Sequence, residues 1–213
     1  NPNAYLILEH FSDNSEEKDL ANYGCMFWGN ISNDAMESSM GYNSSFDWAN
    51  HQSRGWNNPK LIAYAQSHDE ERMMYKNLQY GNVSGSYSVK DFNTALDRLE
   101  LTWVVFNSIP GPKLIWQFDE LGYDYNIDYN GRVGNKPIKW EYNTASNRKD
   151  VYRVFSEINK LKTNYEAFDG NDFSTNLSGK VKRIQLNHPD QNFLILGNFD
   201  VVERSVTPNF NHT

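Results

Sequence analysis

Two bursts of ionisable side chains stand where apolar runs end. Glu9 and His10 follow the run inside "YLILEHF", and His68, Asp69, Glu70, Glu71 and Arg72 follow "LIAYAQ" at 61–66. A third run, "KLIWQF" at 113–118, ends in Asp119 and Glu120. Two carboxylates facing one cleft suit acid–base work: a glutamic acid in a partly dry cleft protonates a leaving oxygen, and an ionised aspartate stabilises developing positive charge.

Each candidate has a plainer reading beside it. Glu9 is either that proton donor or a solvated strand end. Asp69 either binds a ligand or caps a helix that starts near Arg72. His68 and His10 are polar neighbours of the carboxylates, and "HDEER" lacks the paired-histidine spacing of a hydrolytic zinc helix. Arg72 is suited to hold a carboxylate by its fork, Glu70 and Glu71 to form salt links or face solvent, and Glu120 to rim the opening. Trp116 is core or a stacking platform, and Tyr123, Tyr125 and Tyr129 divide the same way.

Such residues meet only if the elements behind them bring strand ends together. "AYLILEHF" (4–11), "CMFWGNI" (25–31), "LIAYAQ" (61–66) and "KLIWQF" (113–118) read as strands. Asp13 and Glu16 can cap a helix through Tyr23. The helical period of Phe92, Leu96, Leu99, Trp103 and Phe106 predicts a helix within 88–108, stopped by "IPGP". A further helix is predicted over 147–162 from Val151, Val154, Phe155, Ile158 and Leu161. Four strand-then-helix units argue for a parallel sheet covered by helices, which sites its chemistry at the carboxyl ends of the strands. The connection of about thirty residues before the third strand is functional or carries its own short helix. Near residue 165 the period changes to short strand pieces broken by His188-Pro189-Asp190 and Gly197-Asn198, so residues 165–213 read as a small antiparallel β domain after an α/β unit of 1–164.

Composition narrows the function. The net charge is -7 and the 20 Lys and Arg are scattered, leaving no electrostatic footprint for nucleic acid or an anionic membrane. No run of eighteen apolar residues occurs, so no transmembrane segment is expected. Cys25 is the single cysteine, which excludes an internal disulfide. No phosphate-cradling glycine loop is present. With 6 Trp, 13 Tyr and 28 Asn, the chain is rich in flat apolar faces and amides, a combination suited to sugar rings.

Three stretches in order, "YLILEHF", "SHDEER" and "IPGPKLIWQFDELGYDYNIDYNGR", closely resemble the later segments of an α-amylase family glycoside hydrolase, especially the Bacteroidetes type acting on starch-like α-glucans. The resemblance spans nearly all of the chain. It implies the C-terminal half of a (β/α)8 TIM barrel, strands five to eight within 1–164, followed by a partial antiparallel β-sandwich at 165–213. It assigns Glu9 to the general acid/base, Asp69 to the transition-state-stabilising aspartate, His68 to substrate binding, and Glu120 to the acidic position closing the strand-eight motif.

The family's nucleophile, an aspartate ending strand four, has no match here. The chain is therefore expected to be an internal fragment of a hydrolase of α-1,4-glucans, inactive alone. The missing N-terminal half of the barrel is its expected partner, and self-association through exposed edges is a further expectation. The resemblance also allows a structural calcium in the longer protein, but the loosely spaced Asp and Asn residues of 119–135 do not make a site, and no cofactor or metal is assigned within this chain. Family context places the longer protein in the periplasm, at the cell surface or outside the cell. A noncatalytic carbohydrate-binding or scaffold protein and an α-glucan transglycosylase are the competing readings.

Overall fold

A computed structural model describes residues 1, 4–208 and 210 of the chain. In chain order the elements are β1 (Ile7–Leu8), α1 (Asn14–Asn22), β2 (Met26–Asn30), α2 (Ser32–Met40), β3 (Leu61–Tyr64) and α3 (Met73–Tyr80). There follow β4 (Val83–Ser84), β5 (Tyr87–Ser88), α4 (Phe92–Ser108), β6 (Lys113–Leu114), α5 (Ser146–Asn164), β7 (Phe173–Asn176), β8 (Val181–Leu186) and β9 (Phe193–Asn198).

Strands β1, β2, β3 and β6 form one parallel sheet in that order, with Ile7 beside Met26, Phe27 beside Leu61 and Ala63 beside Lys113. Central β3 is buried along its whole length, as a parallel strand covered on both faces must be. The outer strands pair over only two residues, far less than the apolar runs predicted. A strand at a sheet edge has a hydrogen-bonding neighbour on one side alone, so pairing stops where the sheet twists away.

The helices lie close to their predicted ranges. Helix α4 starts at Phe92 because Asp91 caps it, accepting from the Asn93 and Thr94 N–H groups at 3.1 and 3.3 Å, while Ser88 is held in the β4–β5 hairpin. Leu96, Leu99, Trp103 and Phe106 are buried, and Trp103 meets Phe155 of α5 edge-on at 5.8 Å. Leu161 and Phe92 are more than a third exposed, so the buried face of each helix is narrower than its period suggested. The long connection before β3 carries α2, the second of the two alternatives read from its length.

Strands β7, β8 and β9 form an antiparallel sheet against α4, and Ile184, Leu186 and Phe199 join the same apolar cluster as Trp103 and Phe106. The break predicted at Gly197-Asn198 is absent: both residues belong to β9. A Cβ on Gly197 would lie 2.6 Å from the Val105 side chain, so glycine serves close strand–helix approach here. Arg98, buried in α4, joins the layers by donating to the Ser38, Ser39, Phe199 and Asp200 carbonyls. Lys182 is fully buried and donates to the carbonyls of Ser44, Leu177 and Gly179, each at 2.9 Å. Among the described residues no helix is long and apolar enough to cross a membrane.

Burial lowers Lys162 and Lys182 to about 8 and raises the Tyr64 phenol to about 12. Between about pH 8 and the lysines' unfolded value the unfolded chain binds more protons than the folded one, so stability rises with pH. Above about pH 10 an unfolded tyrosine loses its proton while Tyr64 keeps it, so stability falls. Urea unfolding should show the rise from about pH 8 to about pH 10, and Lys182→Met should flatten it. A flat or falling wild-type profile over that window contradicts the burial of these ammonium groups.

The turn after β6 holds a second buried ionisable group. Phe118 is in the left-handed region at φ 63°, a costly conformation for a bulky residue. It turns Asp119 inward, where Oδ2 accepts from the Trp116 N–H at 3.2 Å and Oδ1 has no partner among the described residues. Burial raises its acid well above the usual value, against the lowering effect of Arg72. Between about pH 4, where an unfolded aspartate ionises, and its own raised value, the folded state keeps the proton, and stability falls as pH rises. Asp119→Asn cannot ionise; relative to wild type it should gain stability from about pH 4 to about pH 7, and a pH-independent difference refutes a protonated Asp119.

Candidate active site

The carboxyl ends of β1, β2, β3 and β6 open onto a cavity of about 440 Å³. Glu9 comes from just beyond β1, Trp28 and Asn30 from β2, and Tyr64 from the last residue of β3. Ser67 to Glu70 come from the loop after β3, Trp116 from just beyond β6, and Arg132 from the longer loop after it. The carboxyl end of the sheet therefore collects groups more than a hundred residues apart, as parallel α/β sheets do.

Glu9, His68, Asp69 and Trp116 are the sequence candidates that line this cavity. His68 Nε2 is 3.6 Å from Asp69 Oδ2, and the His68 ring lies 6.0 Å from that of Trp116 at 49°. Both partners of the His68–Asp69 pair are well exposed, so their attraction is solvent-screened and the backbone must hold them. Glu9 is exposed at an open rim, not in the partly dry surroundings expected of a proton donor. Asp69 does not cap α3: that helix starts at Met73, whose N–H donates to Gln66 Oε1 at 2.8 Å.

Three candidates lie outside the lining. His10 Nε2 is 3.1 Å from Glu16 Oε1 and the ring sits 6.2 Å from Phe27, because successive residues leaving a strand point to opposite faces and His10 diverges from Glu9. Arg72 is only 1% exposed; its Nη1 donates to the Ser67 and Glu70 carbonyls at 2.6 and 2.9 Å. It braces the loop from behind and cannot reach a ligand in the cavity. Glu120 is half-buried in the turn Asp119–Leu121, where burial raises its carboxyl.

The sequence reading missed Tyr64, Asn30, Glu70 and Arg132. Glu70, expected to salt-link or face solvent, accepts from Asn30 Nδ2 at 2.9 Å and from the Ser67 hydroxyl, tying the end of β2 to the loop after β3. Tyr64 is raised to about 12 first by burial and then by the charges of Glu70 and Glu9, so its phenol stays a proton-bearing donor. Arg132 Nη2 donates to the Asp69 carbonyl at 2.6 Å. Asn30 had a usable signal, since it closes an apolar run as Glu9 does. Nothing local distinguishes Arg132.

The result is an open, carboxylate-lined cleft with a phenol donor, amide groups and the aromatic faces of Trp28 and Trp116. It matches a neutral, polyhydroxylated ligand better than an anion, which Glu9, Asp69 and Glu70 would repel. Among the described residues no group of three or more His, Cys, Asp or Glu side chains is arranged to hold a metal ion.

No family profile matches the sequence, and no curated protein does. Solved structures do. The type III pullulan hydrolase from Thermococcus kodakarensis superposes with a TM-score of 0.67 at 17% identity, over 93% of this chain and 34% of that one. An α-amylase from Geobacillus thermoleovorans complexed with acarbose gives 0.64 at 14% identity, over 92% and 42%, and AmyP in complex with maltose gives 0.64 at 12%, over 92% and 45%. The chain thus spans between a third and a half of the length of these neighbours, and at such identities the likeness establishes the α/β fold of that part of them.

Proposed function

We propose that this chain forms part of a retaining α-glucan hydrolase of the α-amylase type, with Glu9 as general acid/base and Asp69 as the carboxylate that stabilises the sugar cation. The observation that carries the proposal is the opening of both residues onto one sugar-sized cavity at the carboxyl end of the parallel sheet. The complexes of structural neighbours with maltose and acarbose support the ligand class.

In this reading the nucleophile is an aspartate on a strand outside the matched segments. It attacks the anomeric carbon while Glu9 gives its proton to the departing glycosidic oxygen. Glu9 then takes a proton from water, whose oxygen attacks the anomeric carbon and releases the nucleophile, so the configuration is retained. Asp69 faces the ring, where its fixed negative charge favours the oxocarbenium-like transition state. His68, beside Trp116, orients a hydroxyl. Retention requires nucleophile and acid/base carboxyls about 5 Å apart, and the resemblance gives that role to the strand-four aspartate, so Asp69 is not promoted to nucleophile in its place. The exposure of Glu9 favours a noncatalytic glucan-binding protein as the second reading.

The test joins this chain to the preceding half barrel and follows maltooligosaccharide cleavage. Glu9→Gln should lower kcat by about 10²–10⁴-fold, with a smaller effect on binding. Unchanged turnover in Glu9→Gln removes the acid/base assignment, and maltooligosaccharide binding without turnover in the wild type selects the noncatalytic reading.

A further inference from the structure

Glu71, in the loop that carries Asp69, is bonded both within that loop and to a second one. Its Oε1 accepts from the N–H groups of Arg72 and Ile127 at 2.8 and 2.9 Å, and its Oε2 accepts from Asn126 Nδ2 at 2.9 Å. Asn126 and Ile127 begin the segment that carries Arg132.

That segment is tied to itself. Asn126 Oδ1 accepts from the Asp128 N–H at 2.6 Å, and Asn130 and Gly131 turn the chain at φ 60° and 79°. Lys136 Nζ donates to the Gly131, Arg132 and Gly134 carbonyls at 2.7, 3.2 and 2.9 Å. A segment so closed moves as a unit, and its attitude is set where it is held. Besides the burial of Ile127 and the edge-on contact of Tyr129 with Tyr125 at 4.9 Å, two bonds tie it to the loop of Asp69: one to Glu71, the other from Arg132 to the Asp69 carbonyl. The two complete a ring from Asp69 along the chain to Glu71, across to Ile127, along to Arg132 and back to Asp69.

Resting on the glucan reading above, we propose that Glu71 is a positioning residue: it latches the strap 126–136 across the mouth of the cleft and so fixes Asp69 against the ligand. Glu71 lies outside the cavity lining and touches no ligand itself. The N–H of buried Ile127 depends on it for an acceptor, so water does not readily replace the carboxylate. Ile127 is the one buried residue of the strap and lies outside the apolar clusters of the core, so releasing the strap should change global unfolding little.

The test combines two measurements on the 213-residue chain: trypsin cleavage after Arg132, and calorimetric titration with maltotriose. Glu71→Ala should speed cleavage and weaken maltotriose binding, each by about tenfold, at an unchanged melting temperature. Glu71→Gln opposes two amide N–H₂ groups and should lose both properties. Adding Asn126→Asp reverses donor and acceptor across the same contact and should restore both, a rescue that lost packing alone would not give. Unaltered cleavage in Glu71→Ala, unaltered binding despite faster cleavage, or failure of the folded double variant to recover overturns the proposal. Faster cleavage in a chain whose wild type binds no maltotriose sinks the glucan reading and leaves the latch itself standing.

Discussion

The site depends on a buried cation that cannot give up its charge. An arginine stays protonated at any working pH, so a guanidinium 1% exposed must be met by acceptors or it destabilises the fold. Arg72 Nη1 finds them in the carbonyls of Ser67 and Glu70, the residues flanking His68 and Asp69, while its buried Nε has no partner among the described residues. The loop cannot open without leaving that charge unmet. This is why two exposed, mutually screened side chains at the tip can hold a defined direction. Asp119, aimed inward by the left-handed Phe118, places a further polar group in the field of the same arginine.

Two other constraints bring the remaining groups to that loop. The parallel register sets the ends of β1, β2, β3 and β6 side by side, so Glu9, Asn30, Tyr64 and Trp116 arrive by topology and not by sequence proximity. Glu70 and Glu71 then tie the loop after β3 to its neighbours: the first to Asn30 at the end of β2, the second to Asn126 and Ile127 after β6. Behind the sheet, α4 and α5 share one apolar cluster with the antiparallel β7–β9 sheet, and Arg98 and Lys182 join the layers through backbone carbonyls. The rim is polar and locally tied; the support beneath it is continuous and apolar.

Much of this was legible in the chain, for identifiable reasons. Helices α4 and α5 follow from apolar periodicity, because helix–sheet packing selects one face, and Pro110 marks the end of α4; the cap at Asp91 went unread. Glu9 and Asp69 were legible as cleft residues because each sits just past an apolar run; Trp116, inside such a run, was left between core and platform. Arg72 was misread as a ligand-binding fork, since a charge within a polar stretch looks like surface and only tertiary packing buries it. His10 and Glu120 failed because adjacency in sequence does not fix which face a side chain takes. Arg132 was illegible: its place at the cleft depends on Glu71 and Lys136 shaping a loop that has no period of its own.

The central claim, that Glu9 and Asp69 address one ligand, is tested most directly by NMR titration of the isotopically labelled chain with maltotriose. The account predicts that Glu9, Tyr64, His68, Asp69 and the Trp116 indole shift together and saturate along a single binding curve. Separate saturation at Glu9 and Asp69, or shifts confined to the α4–α5 surface, would contradict it.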